Sequence, residues 1–375
     1  MPPAGRLSFS SRIHHERTST LLGIALGIAF TVCFGTGLLS HAAQTPIPWF
    51  PWPSRPAWLY QVTQGLHVFT GLATIPLLLG KLWAVYPRLW RWPPLRGAAH
   101  AVERAALVPL VGGALFLLVT GVTEIDYWYP YRFFFKTAHF WAAWITFGAL
   151  VIHVGATATV TASGLRDRQA TAPTTREGLD RRRFLLAVAA AGGAIALTTV
   201  GSAVTPLRRL AVLAPRHPDV GPQGLPVNHQ ARDVGVPDVR ADPGYRLRVR
   251  GRVTRPVELS LQDLRARPSR EVELPISCVE GWSYSARWRG IRLRDLLAEA
   301  GADPRGDVIV RSLQTRGPYA GARIDAAHAR DPDTLLALTV NGAPLHLDHG
   351  FPLRLIAPNS AGVLQTKWVT EVEAL

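Results

Sequence analysis

Residues 276–283 read Ile276-Ser277-Cys278-Val279-Glu280-Gly281-Trp282-Ser283. The stretch starts as an apolar strand and enters a loop at Cys278, and Trp288–Leu293 then leads into a helix. A thiolate at the end of a strand, in a domain rich in arginine, is suited to bind a soft metal. A cysteine taken alone is more often a buried structural thiol, so a metal assignment depends on the surrounding sequence.

The residues on both sides of this stretch predict a β-rich α+β domain. Short strands are expected at 245–253, 272–276, 308–313, 336–340, 353–356 and 368–372. Residues 293–300 predict a helix that ends at Gly301. Residues 206–243 are rich in Pro, Gly and Arg, which is typical of a linker and an extended lead-in.

The first half of the chain differs, because it holds five apolar runs long enough to cross a bilayer. These runs cover residues 19–40, 58–85, 104–125, 134–160 and 184–204, each about 20 residues or more, as a hydrocarbon layer of about 30 Å requires. From Pro206 onward charged residues are frequent and no such run recurs. The sequence therefore predicts an all-α transmembrane four-helix bundle, a fifth anchor helix and then the β-rich α+β domain.

The net charge of +15 and the isoelectric point near 10.8 do not by themselves indicate nucleic-acid binding. A nucleic-acid site needs basic residues gathered on one soluble surface with aromatic residues between them. Much of the excess lies instead in short loops beside the apolar runs, as the positive-inside rule describes. The arginines concerned are Arg6, Arg12, Arg17, Arg88, Arg91, Arg96, Arg104, Arg166, Arg168, Arg176 and Arg181 to Arg183. The two cysteines, Cys33 and Cys278, are too few for a disulfide framework or a zinc cluster.

The loop composition also predicts the topology. Residues 46–56 and 126–131 are rich in Trp, Tyr and Pro but poor in basic residues, which is typical of an aromatic belt at the outer face. Counting crossings from a cytoplasmic N-terminus leaves the loop around Arg181 inside and carries the C-terminal domain outside. We therefore expect a multi-pass protein of the plasma membrane with an extracytoplasmic C-terminal domain.

The segment Arg181-Arg182-Arg183-Phe184-Leu185-Leu186 precedes a moderately apolar helix rich in Ala and Gly. It resembles a twin-arginine export signal in an internal position. The alternative is three ordinary arginines that hold the loop on the inner side.

Histidines inside the apolar runs are functional candidates, because an imidazole in hydrocarbon is costly unless it is liganded or paired. The candidates are His14 and His15 at the entrance of the first run, His67 in the second, and His139 and His153 in the fourth. Positions 139 and 153 lie 14 residues apart, which on a helix leaves them about 40° apart in azimuth and about 21 Å apart along the axis. One helix face could therefore serve two stacked haems.

Depth in the membrane suggests how these histidines pair. His67 and His139 lie at compatible depths below the outer ends of their helices, and we pair them as ligands of an outer haem. His153 lies toward the cytoplasm, where either histidine of the first run is the natural partner and His100 is a reserve. Core histidines that bond to backbone carbonyls or hydroxyls across helices are the alternative. The pattern over residues 10–165 resembles the four-helix cytochrome b subunits of membrane-bound dehydrogenases and reductases.

The segment around Cys278 closely resembles the cysteine segment of the sulfite oxidase-like molybdopterin domain, a family that includes the periplasmic methionine sulfoxide reductase catalytic subunit. In that family the cysteine sulfur binds molybdenum beside a pterin dithiolene and oxo groups. The likeness spans about residues 225–375 and implies pterin contacts at Asn228, Thr315, His349, Arg354, Gln365, Thr366 and Lys367. It also implies that the cofactor is inserted in the cytoplasm, so that the domain crosses the membrane already folded.

The sequence departs from true sulfite oxidases in two respects. The chain stops at Leu375, just after the last expected strand, so no C-terminal dimerisation domain is expected, and it has no cytochrome b5 domain. The counterparts of the substrate-binding arginine and tyrosine stay open, with Arg287, Arg316 and Tyr319 as candidates. Sulfite is therefore not implied as the substrate.

Together these predictions divide the chain into a haem-carrying membrane domain (1–165), an Arg-rich loop with the anchor helix (166–205), a linker (206–224) and a molybdopterin domain (225–375). We expect a molybdenum-dependent oxidoreductase that transfers an oxygen atom and exchanges electrons with the quinone pool through two b-type haems. The expected partners are membrane lipid, quinone and a small S-oxide, N-oxide or sulfite-like substrate, and no nucleic acid. The alternatives are a non-catalytic transmembrane electron-transfer or sensor protein and a ferric-reductase-like haem protein, both with a degenerate soluble domain.

Overall fold

The computed structural model describes residues 12–45, 47, 49–89, 97–166, 176–216, 220–238 and 244–375. The chain forms two compact units that do not follow its linear order. The first contains residues 1–35 and 67–198, and the second contains residues 36–66 and 199–375. The segment that connects the first two long helices therefore belongs to the same unit as the C-terminal domain.

Five long helices dominate the first half of the chain, and each is long and apolar enough to cross a membrane. They are α1 (Glu16–Gln44), α2 (Leu59–Leu89), α3 (Ala98–Ile125), α4 (Phe135–Arg166) and α5 (Arg176–Val200). All five overlap the predicted apolar runs. The helices extend past those runs by several residues, because the flanking Arg, Glu and Ala residues also favour helix.

Small residues allow close helix contacts within the first unit. A Cβ atom added at Gly113 of α3 would lie 2.1 Å from the hydroxyl of Thr146 in α4, and one added at Gly80 of α2 would lie 2.9 Å from Val188 in α5. Glycine at such positions lets two backbones approach, which is how helices pack where no hydrophobic effect drives them together.

The helix α5 begins earlier than predicted. It starts at Arg176, so Arg181 to Arg183 lie within the helix instead of preceding it. The side chains of Arg182 and Arg183 are exposed. Residues 167–175, which form part of the predicted Arg-rich loop of residues 166–205, lie outside the described residues.

The C-terminal domain contains two five-stranded sheets. The strands are β1 (Arg246–Gly251), β2 (Val257–Ser260), β3 (Arg270–Ser277), β4 (Ser283–Arg292), β5 (Val308–Ser312), β6 (Gly321–Ile324), β7 (Leu335–Val340), β8 (Ala343–Pro344), β9 (Arg354–Ile356) and β10 (Val369–Ala374). One sheet has the order β2-β1-β10-β5-β6, and the other has the order β3-β4-β7-β8 with β9 paired to β7. Three short helices accompany them, α6 (Leu261–Ala266), α7 (Leu293–Glu299) and α8 (Ala326–Arg330).

The six predicted strands and the helix that precedes Gly301 are present, whereas β2, β4, β6 and β8 were not predicted. Of these four strands, β4 directly follows the loop that holds Cys278. Residues 283–292 were expected to be loop leading to a helix, because Ser and Arg interrupt the apolar pattern. In the structure Ala286, Trp288 and Gly290 alternate inward while Arg287 and Arg289 point outward. An alternation of buried and exposed side chains with a period of two residues indicates a half-buried strand. Pairing of β4 with β3 fixes both ends of the loop that holds Cys278.

Candidate active site

Cys278 lies in a tight loop between β3 and β4. Its backbone N–H donates to the carbonyl of Trp282 at 2.9 Å, and its own carbonyl accepts from the N–H of Gly281 at 3.1 Å. Gly281 has φ 91°, a conformation that favours glycine. The thiol is only 6% exposed. The loop therefore holds one sulfur atom in a fixed position below the surface.

A pair of polar side chains surrounds the sulfur. The Asn228 amide donates to Cys278 Sγ at 3.0 Å and to Glu280 Oε1 at 2.9 Å. The other oxygen of Glu280 accepts from the indole N–H of Trp282 at 3.1 Å. An N–H donor at the sulfur stabilises the thiolate, which is the form that binds metal. Among the described residues no group of three or more His, Cys, Asp or Glu side chains could hold a metal ion.

Glu280 is a site residue that the sequence did not predict. It is 4% exposed, and its carboxylate orients Asn228 by a direct hydrogen bond. The available signal was an acidic residue two positions after the cysteine, within a loop between apolar strands. Sequence could not show that the Glu280 side chain turns inward, because its partner Asn228 lies 52 residues away in the chain.

Two cationic side chains, Arg354 and Lys367, lie near each other in the same domain. Arg354 is 3% exposed; its Nη1 donates to the carbonyl of His349 at 3.2 Å, and its Nε is buried without a hydrogen-bond partner. Lys367 Nζ donates to the carbonyls of His229 and Asp348, both at 2.8 Å. Neither cation forms a salt bridge within the described part of the chain. Two unneutralised cations beside each other make a site for an anion.

Burial sets the protonation of these cations. Desolvation lowers the pKa of Arg354 to about 10. Desolvation, and then the charge of Arg354, lower the pKa of Lys367 to about 7, while Asp348 and the Cys278 thiolate act in the opposite direction.

The other predicted contacts near Arg354 are buried. His349 Nε2 lies 2.6 Å from the carbonyl of Pro222, so this nitrogen carries the proton. Desolvation and the neighbouring Arg354 lower the pKa of His349 to about 4, which leaves the imidazole neutral. The Gln365 amide donates to the carbonyl of Ser360 at 3.0 Å, and its Oε1 is buried without a partner. Thr366 is also buried, and its carbonyl accepts from the N–H of Leu355.

The structure brings most of the predicted pterin contacts into one region, and the contact predicted at Thr315 stays a prediction. The Thr315 side chain is exposed and donates to the carbonyl of Gly235 at 3.1 Å. Of the three substrate candidates, Tyr319 has its ring 6.2 Å from that of His229. Arg316 donates to the carbonyl of Arg232 at 3.1 Å, and Arg287 is exposed on β4. Tyr319 is therefore the candidate beside the site, because its ring lies next to that of His229, and His229 directly follows Asn228 in the chain.

Within the first unit, His67 and His139 face each other with ring centroids 6.4 Å apart and planes at 76°. His67 Nδ1 lies 2.8 Å from the carbonyl oxygen of Cys33 and donates to it. His139 Nδ1 lies 3.0 Å from the hydroxyl of Thr120, whose own proton goes to the carbonyl of Phe116. Each ring therefore uses Nδ1 for a hydrogen bond, which leaves the Nε2 lone pair for a metal.

The inner histidines are placed differently. His14 Nδ1 lies 3.2 Å from the carbonyl of Ala84, and its ring lies 6.4 Å from that of Trp83. His15 Nδ1 accepts from the backbone N–H of Arg17 at 3.3 Å. The pairing of His153 with either of them stays a prediction. His100 lies in α3, and its side chain lies outside the described part of the chain.

Comparison with known proteins agrees with the geometry around Cys278. Residues 233–375 match the family model for the oxidoreductase molybdopterin binding domain. The mitochondrial sulfite oxidase of Mus musculus is 36% identical over 165 residues, covering 36% of this chain and 30% of that protein. The protein-methionine-sulfoxide reductase catalytic subunit MsrP of Gluconobacter oxydans is 34% identical over 148 residues, covering 35% of this chain and 47% of that protein. The chain thus spans less than half the length of these relatives.

The residues of the site fit a molybdopterin. The thiol of Cys278 is a soft ligand held by an N–H donor, and the buried Arg354 Nε and Gln365 Oε1 have polar capacity that no protein group uses. Arg354 and Lys367 supply positive charge for a phosphate. Together with the family match, these features identify residues 233–375 as an oxidoreductase molybdopterin-binding domain of the sulfite oxidase type.

Proposed function

We propose that this protein is a membrane-bound molybdenum oxidoreductase that exchanges electrons between a small extracytoplasmic substrate and the quinone pool through b-type haems. The observation that carries the proposal is the Cys278 site, where a buried sulfur, an N–H donor and two unpaired cations occur in a domain of the sulfite oxidase type. Five helices long enough to span a bilayer supply the membrane part.

In this proposal each residue of the site has one task. Cys278 binds the molybdenum, and Asn228, oriented by Glu280, steadies the sulfur. Arg354 and Lys367 hold the pterin phosphate. When bound, the molybdopterin supplies two-electron oxygen-atom transfer, so that the protein contributes binding, orientation and charge. Tyr319 lies where it could orient a substrate oxygen.

S-oxides, N-oxides and sulfite-like molecules are the proposed substrates, since they exchange one oxygen atom and two electrons. A haem carries one electron and a quinone carries two, so the haems would divide each two-electron event into single steps. The order of molybdopterin, haems and quinone is the same whether electrons flow toward the substrate or away from it.

The arrangement of His67 and His139 supports an outer haem. Two imidazoles that share one metal at nitrogen distances of about 2.0 Å have ring centroids about 6 Å apart. The observed separation of 6.4 Å is close to this value. Both rings also direct Nδ1 to a hydrogen-bond partner, as axial histidine ligands do.

Replacing His139 with alanine is expected to remove the outer haem. Loss of one axial ligand frees the iron, so about half of the haem absorbance should disappear if a second haem is bound at His153. The measurement is a reduced-minus-oxidised spectrum per mole of purified chain. The matched control is His41→Ala, a histidine of α1 outside the proposed ligand set. Equal spectra for His139→Ala and the wild type would reject this haem assignment.

The proposed export route is testable at Arg182 and Arg183. Changing both to lysine keeps the positive charge beside α5 but removes the paired guanidinium groups of a twin-arginine signal. We expect the C-terminal domain to remain on the cytoplasmic side, and protease protection in spheroplasts measures this. The control changes Arg208 and Arg209, another adjacent pair after α5, to lysine. Normal export of this variant would mean that the arginines act only through their positive charge, which keeps the preceding loop on the inner side.

The function itself is tested with purified full-length protein. Haem reduced by dithionite, and freed of excess reductant, is mixed with methionine sulfoxide or trimethylamine N-oxide; oxidised haem is mixed with sulfite. A spectral change with one of these substrates, which disappears in Cys278→Ala, supports the proposal. Haem that responds to none of them, in protein that contains iron without molybdenum, would favour the ferric-reductase-like alternative.

A further inference from the structure

The segment between α1 and α2, together with the start of α2, packs against the molybdopterin-binding domain inside the second compact unit. We call residues 49–66 the docking segment. Its Trp52 and Tyr60 are 7% and 1% exposed, and they form one apolar cluster with Ala361. Side chains buried to this extent indicate a stable contact and not a loop lying on a surface.

Asn359 is the polar centre of this contact. It is 2% exposed and has φ 51°, a left-handed conformation that Asn tolerates better than most residues. Its carbonyl accepts from the Trp52 indole at 2.8 Å, and its side-chain amide donates to the carbonyl of Pro53 at 2.6 Å. Its Oδ1 accepts from the backbone N–H of Tyr60 at 2.6 Å. All three bonds go to the docking segment.

The bond to Tyr60 is a helix cap supplied from a distant part of the chain. Tyr60 is the second residue of α2, and the N–H groups of the first helical turn have no partner within the helix. Asn is among the best capping residues, because its side-chain oxygen accepts from such an N–H. Asn359 thus fixes the start of α2 to the C-terminal domain.

An ion-pair network strengthens the same contact. The guanidinium of Arg55 donates to both oxygens of Asp331, at 3.0 and 2.8 Å, and also pairs with Asp333. Arg270 of β3 shares Asp333 at 2.6 Å. The Asp331 side chain is only 4% exposed, and paired contacts from one guanidinium are geometrically specific.

The docking segment also reaches the cysteine loop. The side-chain amide of Gln64 donates to the carbonyl of Val279, the residue that follows Cys278. On the domain side, Ala361 pairs with Ser277 in a parallel bridge. A Cβ atom at Gly362 would lie 2.9 Å from the Ser277 carbonyl, so only glycine fits there. Residues 359–362 therefore join the docking segment to the strand that ends at Cys278.

We propose that Asn359 is a positioning residue for electron exchange. It fixes the first turn of α2, the helix that contains His67, to the domain that contains Cys278, so that electron exchange needs no docking step. This inference rests on the proposed function, because it requires a haem at His67 of α2. A haem held by His67 would supply one electron at a time, and each electron it gave up would reduce a molybdenum held by Cys278 by one unit, or the reverse.

Hydrogen–deuterium exchange of the full chain tests the contact without any substrate. Asn359→Gly keeps the left-handed backbone but removes the bonds to Tyr60 and Pro53. We expect amides 52–60 to exchange about tenfold faster, the size of effect that loss of a helix cap produces. The matched control is Asn341→Gly, since Asn341 also has φ 51° but bonds to the backbone N–H of Arg287. Unchanged exchange in Asn359→Gly would refute the contact. Trp52→Phe, which removes one N–H, provides the same test if Asn359→Gly does not fold.

Flash reduction tests the electron-exchange role. A photogenerated deazaflavin radical gives one electron to the haem, and the subsequent absorbance change reports transfer from haem to molybdenum. In the wild type the rate should not change with added glycerol. In Asn359→Gly it should fall by about tenfold or more and become sensitive to viscosity, with unchanged molybdenum content and haem spectrum. An unchanged rate would refute the positioning role. Absence of a haem signal in the wild type would refute the proposed function instead, and the exchange experiment would still report on the contact.

Discussion

Cys278→Ala is expected to lower turnover by about a thousandfold or more, equivalent to about 4 kcal/mol of transition-state stabilisation. In the proposed function the Cys278 thiolate is the protein's ligand to molybdenum, and alanine offers no replacement ligand. The side chain is small and the loop is held by backbone hydrogen bonds, so the fold should persist. Haem absorbance should also persist, because Cys278 and the histidines at 67 and 139 lie in different compact units.

The measurement is turnover with S-oxides, N-oxides and sulfite, together with the visible spectrum of the same sample. Cys33→Ala is the matched control for molybdenum content, since Cys33 is the only other cysteine. Wild-type turnover in Cys278→Ala would mean that the metal is bound elsewhere. A loss of both turnover and haem would point to misfolding, which the melting transition of the variant would reveal.

Removing the cations of the anion site is expected to release the cofactor. In Arg354→Met and in Lys367→Met, cofactor retention should fall by about tenfold to a hundredfold each, since a hydrogen bond to a charged group contributes about 1.5–3 kcal/mol. Methionine keeps most of the side-chain volume, so packing against Trp288 and Trp368 is largely preserved. The measurement is molybdenum per mole of purified protein. Arg289→Met, an exposed arginine of β4, is the control. Full molybdenum content in both variants would place the phosphate elsewhere.

The pKa of Lys367 adds a pH dependence to this prediction. In the cofactor-free protein that pKa is about 7, so above this pH the amine is neutral and must take up a proton when the phosphate binds. Affinity should therefore fall as pH rises above 7, by up to about tenfold per unit. The phosphate itself loses charge below about pH 6, which puts the optimum between these values. The Lys367→Met protein has no amine to protonate at this position, so its affinity for the cofactor should not decline above pH 7.

The sequence predicted the helices well because spanning a bilayer imposes length and composition together. The roles of Cys278, Arg354 and Lys367 come from resemblance to a family and stay predictions, although the structure buries Cys278 and Arg354. The sequence did not predict β4, since serine and arginine on the outward face hide the alternation of Ala286 and Trp288. It also missed Glu280, because a buried carboxylate is recognisable only once its partner Asn228 is placed.

The pterin contact at Thr315 stays a prediction, since the structure shows only that its side chain is exposed and donates to the carbonyl of Gly235. The docking segment shows the limit of local sequence patterns. Residues 46–56 were expected only to form an aromatic belt, whereas Trp52 and Arg55 make buried contacts with residues about 300 positions later. Contacts of such separation leave no local pattern in a single sequence.

Metal analysis of the purified full-length chain tests the central claim most directly. Molybdenum and iron, measured together by mass spectrometry in the wild type and in Cys278→Ala, should show about one molybdenum per wild-type chain and a large loss in the variant, with haem iron equal in both. Wild-type protein that contains iron but no molybdenum, or equal molybdenum in the two proteins, would contradict the assignment of Cys278.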